Sequence, residues 1–141
     1  MKPAFVTAAL LVALHAQAHA QDRDRYDPPP KYDAYGHALV LTEKGWRYID
    51  RDGKPILQPF IYDNGPDYYQ EGLARFVANG KMGFHDKALH IVIPARYDHA
   101  FPFQNGKALV GMDCSYSRLD EHTTVSCKHW DEIALPAPVA R

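Results

Sequence analysis

Apolar residues fall in short bursts of four to six, and the bursts are cut by pairs rich in Gly, Asn and Asp. The second half of the chain shows the pattern best. Residues 73–78 are mostly apolar, Asn79-Gly80-Lys81 turns, residues 82–85 return and Asp86-Lys87 turns again. Residues 90–93, His-Ile-Val-Ile, then carry a β-branched run closed by Pro94. Alternation with period two belongs to strands, and Asn-Gly is a hairpin dipeptide. Residues 36–71 follow the same plan, with Asp52-Gly53 at the second turn. Bursts this short leave no room for a helix of useful length, so the pattern predicts three short strands per unit.

The unit repeats. Gly36, Gly72 and Gly106 each open a copy, two residues before Ala38, Ala74 and Ala108. Pro59 matches Pro94, Tyr62-Asp63 matches Tyr97-Asp98, and Trp46-Arg47-Tyr48 matches Met82-Gly83-Phe84. A period of this size signals a supersecondary unit that buries its face against its neighbours. Val40, Phe76 and Val110 share a position, on one face with the three alanines. Together with Trp46/Tyr48 and Met82/Phe84 on the second strands, they are expected to form the core stack, because large apolar side chains at matched repeat positions are usually packing residues.

Lys44-Gly45-Trp46, Tyr48-Ile49-Asp50, Asp52-Gly53-Lys54, Pro59 and Tyr62-Asp63 in the first copy resemble the WG repeat. So do Gly80-Lys81-Met82-Gly83-Phe84, Ile93-Pro94, Tyr97-Asp98 and residues 105–110 further on. At the position that names the family, the first copy has Trp46-Arg47 and the second Met82-Gly83. The resemblance implies a β-rich repeat domain and no shared catalytic residues. The expected fold is all-β: tandem WG-like repeats forming an antiparallel β-meander or short solenoid, with a C-terminal disulfide hairpin. The repeat domain runs over residues 36–134, divided into 36–71, 72–105 and 106–134, the last with an insertion at 113–127.

The ends read differently. Residues 1–20 have a Lys2 start, an apolar run too short to span a membrane, and Ala18-His19-Ala20, the marks of a signal peptide cleaved between Ala20 and Gln21. Cleavage after Ala18 is the alternative. Residues 21–35 alternate charges and then carry three prolines, which predicts a disordered Pro-rich leader. Residues 135–141 are expected to be a flexible tail. Export places the only two cysteines, Cys114 and Cys127, in an oxidising compartment, so a disulfide between them is expected, stabilising by about 3 kcal/mol at most. In the register that sets Cys114 opposite Cys127, Tyr116 faces Val125 and Ser115 faces Ser126. The apex at Asp120-Glu121 lacks Gly and Asn, which predicts a longer loop there. Trp130 then becomes the counterpart of Trp46, displaced by the insertion.

Lys and Arg number 16 against 17 Asp and Glu, a balance that offers no electrostatic case for nucleic acid. No nucleophile elbow, phosphate loop, dinucleotide fingerprint or HExxH is present. His122 and His129 on the terminal hairpin, and His85 with His90, could make at most a weak metal site, and no cofactor is expected. Tyr68 and Tyr69, in a connection one residue longer than its counterpart, are the candidate exposed aromatics for ligand stacking. The expected function is a non-enzymatic, periplasmic or secreted interaction module. Its partner would be an envelope protein or glycan, with homo-oligomerisation through an open sheet edge as a further expectation. A cell-envelope hydrolase or weak metal binder using hairpin histidines, and a structural accessory subunit, are the alternatives.

Overall fold

The structure is a computed structural model, and it describes residues 26–138. The expected signal peptide, its Ala20–Gln21 cleavage point, the first residues of the leader and the last three of the tail lie outside the described residues. Among the described residues there are strands and turns and no helix. The described residues divide into two compact units, one ending at Ile56 and the other beginning at Leu57.

The first unit holds the hairpin of β1 (Ala38–Thr42) and β2 (Gly45–Ile49), paired from Ala38↔Ile49 to Thr42↔Gly45. Ala38, Val40 and Ile49 are buried on one face. Tyr26 and Tyr32 pack onto that face, so part of the segment expected to be a disordered leader has a defined course. The Asp33 carboxylate holds it there by accepting bonds from the Tyr35 and His37 amides. The Arg51 guanidinium sits 5.2 Å over the Tyr32 ring. After β2, Asp50 accepts from the amides of Asp52 and Lys54, and Gly53 takes φ +74°, forming the expected second turn.

The second unit takes in the end of β3 (Pro55–Pro59), which pairs with β6 (Ala74–Ala78) through Pro59↔Phe76. A small hairpin of β4 (Ile61–Tyr62) and β5 (Gly65–Pro66) lies between them in sequence, closed by Asp63 and Asn64, both at positive φ. β6 pairs with β7 (Lys81–His85) across the Asn79-Gly80 turn, and β7 pairs with β8 (Ile91–Tyr97). β9 (His99–Ala100), β10 (Lys107–Leu119) and β11 (His122–Ala134) form a second sheet, ordered β11-β10-β9. The antiparallel β-meander is therefore as expected, with three main strands in each of the first two copies, while the third has two long ones.

Two details of the expected strands change. Pro94 does not end β8. The ladder slips from Phe84↔Ile93 to Met82↔Tyr97, and the extra residues of β8 absorb the missing proline N–H. Gly83 permits the slip: a Cβ there would lie 2.4 Å from the Ile93 carbonyl oxygen and 2.7 Å from the Ala95 nitrogen. This close backbone approach is the physical reason for glycine in the Met82-Gly83 pair.

The expected single core stack is, in fact, two faces. The pairs Phe76↔Gly83 and Ala74↔His85 set those residues on one face of the β6–β7 hairpin; Val77↔Met82 and Arg75↔Phe84 set these on the other. Both faces are buried. Within the second unit, Met82 and Phe84 join Ile93, Ala100 and Phe103 in one core with Ala108 and Val110 of the third copy. The second strand of the second copy thus receives the first strand of the third.

The terminal hairpin keeps one register from Lys107↔Ala134 to Leu119↔His122, with Cys114↔Cys127, Tyr116↔Val125 and Ser115↔Ser126 as expected. The Cys114–Cys127 disulfide is present. Its apex is tighter than expected, two residues instead of a longer loop, because Asp120 itself adopts φ +56°. Asp tolerates this region better than most side chains. Leu135, at the start of the expected flexible tail, donates its amide to the Gly106 carbonyl (2.8 Å) and packs on the core.

Candidate functional site: the outer face of the third copy

Register defines equivalent positions in successive copies. Counted from the opening glycines, Asp67 and Arg75 in the second copy correspond to Phe101 and Leu109 in the third. Across the hairpins, Met82 (opposite Val77) corresponds to Trp130 (opposite Gly111), and Phe84 to Glu132. Trp130 occupies the same register as Trp46, which faces Leu41, so it is the displaced counterpart the sequence suggested.

In the second copy these positions are closed. Arg75, Met82 and Phe84 are at most 4% exposed and Asp67 is 7% exposed. Arg75 forks onto Asp67, with Nη2 to Oδ1 at 2.8 Å and Nε to Oδ2 at 2.9 Å. It donates a third bond to the Ala100 carbonyl at 2.9 Å and lies 4.5 Å over the Phe60 ring. Bidentate pairing and stacking satisfy the guanidinium without water. Sequence comparison of the copies could not find this pair, since its counterparts in the third copy are uncharged.

In the third copy the same positions are open: Phe101 is 40%, Leu109 42% and Trp130 39% exposed. Trp130 lies against Phe101 with centroids 5.8 Å apart, and His99 meets Phe101 edge-on at 4.9 Å. Tyr116 extends the cluster, 5.9 Å from His99, and its hydroxyl donates to the Asp98 carbonyl at 2.9 Å. Lys107 and Glu132 form an exposed ion pair at the rim (2.7 Å). A shallow groove runs beside it between Phe101, Gln104, Lys107, Leu109 and Glu132.

The patch is held rigid from beneath. A Cβ at Gly111 would come within 2.4 Å of the Cys127 sulfur and 3.0 Å of the Trp130 ring, so only glycine lets disulfide and indole settle over this strand. Asp98 ties the hairpin to the second copy: it pairs with Lys81 and accepts from the Cys114 amide at 3.4 Å. The Lys81 bond holds the Asp98 carboxyl below its ordinary range, helped by the nearby backbone amides. Burial pushes the His99 imidazole down, and the Arg75 charge adds to this. Burial pushes the Tyr116 phenol up.

The other candidate residues lie elsewhere. Tyr68 is exposed and meets Tyr62 edge-on at 6.2 Å. Tyr69 is half-buried, 5.6 Å from the His85 ring. Counted back from Gly72 and Gly106, Tyr69 is the counterpart of the buried Phe103, a match the longer connection hid. His85 is buried, bonds the Asp86 carbonyl through Nδ1 at 2.8 Å, and is pushed down by burial. His122 and His129 do not meet across the hairpin; both lie on β11, at its tip and seven residues along it. Among the described residues no group of three His, Cys, Asp or Glu side chains is placed to hold a metal ion, and no helix is long and apolar enough to cross a membrane.

Comparison with known proteins agrees with the repeat geometry. The family described as WG containing repeat matches residues 46–81 and 82–113, the same period phased to begin at the second strand. No curated protein and no solved structure matches the chain. Through these two tandem repeats the chain belongs to the WG-repeat family.

Proposed function

We propose that the chain is an exported, non-enzymatic protein-interaction module of the bacterial cell envelope, working through the outer face of its third copy. The observation that carries this reading is the contrast between copies: four positions closed in the second are open in the third, where three of them carry apolar or aromatic side chains. Terminal repeats that face only water take a polar outer surface. Phe, Trp and Tyr gathered on an exposed face are instead the composition of interface cores. The disulfide suits an oxidising compartment, periplasmic or extracellular, as does the apolar start of the sequence.

The test is a photo-crosslinking side chain placed at Leu109, with Ile91, an exposed residue on β8, as control. The expected result is protein adducts from position 109 and not from 91, on a mature chain whose mass begins at Gln21 and rises by two hydrogens on reduction. Equal labelling from both positions, or no labelling at all, would remove the interaction face. A full-length mass with two free thiols would remove the export.

A further inference from the structure

We propose that the outer face of the third copy is a homodimer interface, covered by the same face of a second copy of this chain about a two-fold axis. This rests on the interaction reading above and names its partner.

The repeat itself shows what such a face accepts. In the second copy, the strand bearing Met82 and Phe84 is covered by Ala108 and Val110, a small-x-branched first strand. Among the described residues, no further copy follows the equivalent strand of the third copy, which bears Trp130. The chain's first version of the covering strand is Ala38-Leu39-Val40, and its buried face is already occupied by Tyr26 and Tyr32. Head-to-tail stacking of one chain on the next is thereby blocked at its covering strand. With that face sealed and the Trp130 face open, the isologous arrangement remains, open face to open face, which closes at two copies.

The chemistry of the face fits itself. Phe101, Leu109 and Trp130 give an apolar centre. Lys107 and Glu132 place both signs of charge on one rim. A two-fold rotation sets the Lys107 of each copy near the Glu132 of the other, so the rim is self-complementary. The groove beside Phe101 offers a recess for the facing ring.

Sedimentation equilibrium of the disulfide-intact mature chain, across a concentration series, tests this. A reversible monomer–dimer equilibrium is expected. Leu109→Asp should weaken it about a hundredfold, because the face would then bury an unpaired carboxylate. The thermal midpoint of the dilute monomer should not move, since Leu109 is exposed there. Lys107→Glu should weaken the dimer too, and adding Glu132→Lys should restore it. A monomer at every concentration overturns the proposal. So does a dimer indifferent to Leu109→Asp, which would point to the open edge of β11. A monomer that still crosslinks from position 109 to another protein would refute the second copy while leaving the interaction reading in place.

Discussion

Removing the carboxylate of Asp67 should strand a charge in the interior. Three of the guanidinium's bonds are described above; the same carboxylate also accepts the Arg75 backbone amide at 2.8 Å. In Asp67→Ala, Arg75 keeps the Ala100 carbonyl and the Phe60 and Tyr62 rings and loses its paired charge with both carboxylate bonds. Breaking a buried pair from one side costs about 3–5 kcal/mol, against a total of about 5–15 kcal/mol for a domain. With a urea slope of about 2 kcal/mol/M, the midpoint should fall by about 2 M. The chain has only two tryptophans, so a Trp46→Phe background leaves Trp130 to report on the second unit by fluorescence. The double variant Asp67→Ala/Arg75→Met removes both charges and keeps an apolar stem over Phe60. It should recover all but about 1–2 kcal/mol of the loss. A single variant within about 0.3 M of the parent, on that same slope, would mean the pair is not desolvated as described. A double variant no better than the single would place the cost in lost packing instead of in the stranded charge.

Two further outcomes follow from the same unit. Gly83→Ala should lower stability by about 2–4 kcal/mol in a thermal melt, since the added methyl meets two backbone atoms that only a shift of β8 can clear; a neutral substitution would show that the bulge yields freely. Acidification should also destabilise the fold. His85 and His99 are both held below their ordinary value near 6.5, so the unfolded chain binds the extra protons. Stability should therefore fall as pH drops below about 6.5. The Asp98 contribution, held by Lys81, is lost only lower, below the ordinary carboxyl value of 3.8. A melting midpoint that is flat between neutral pH and pH 5, or a His85→Gln variant that keeps the full slope, would contradict the assignment to these imidazoles.

The sequence revealed what repeats and what pairs. Two cysteines and the alternation around them were enough to set the register of the long hairpin, and with it the equivalence of Trp130 and Trp46. It could not reveal features that one copy has and another lacks. Asp67–Arg75 is such a feature, because the third copy places Phe101 and Leu109 at those positions. Nor could alternation alone say that both faces of β6–β7 are buried. The tyrosines of the leader were outweighed by its prolines and charges, although Tyr26 and Tyr32 supply the apolar surface that Ala38, Val40 and Ile49 require. The tight apex was hidden by composition, since Asp120 does there what Gly or Asn usually does.

The tie between Glu71 and Gly106 bears on how such a chain can change in length. The Glu71 carboxylate, on the turn that opens the second copy, accepts the amide of Gly106 on the turn that opens the third, at 3.0 and 3.2 Å. The opening turn of the third copy is therefore gauged against that of the second, by a contact that uses only a backbone N–H from the later copy. Any unit that begins with the same turn can satisfy it, whatever its side chains. A duplicated copy inserted between these two turns would find its docking point already made, while the specialised first and last segments stayed as they are. Growth by whole units, with the ends conserved, is the mode of variation this contact favours, and a partial unit is the variation it resists.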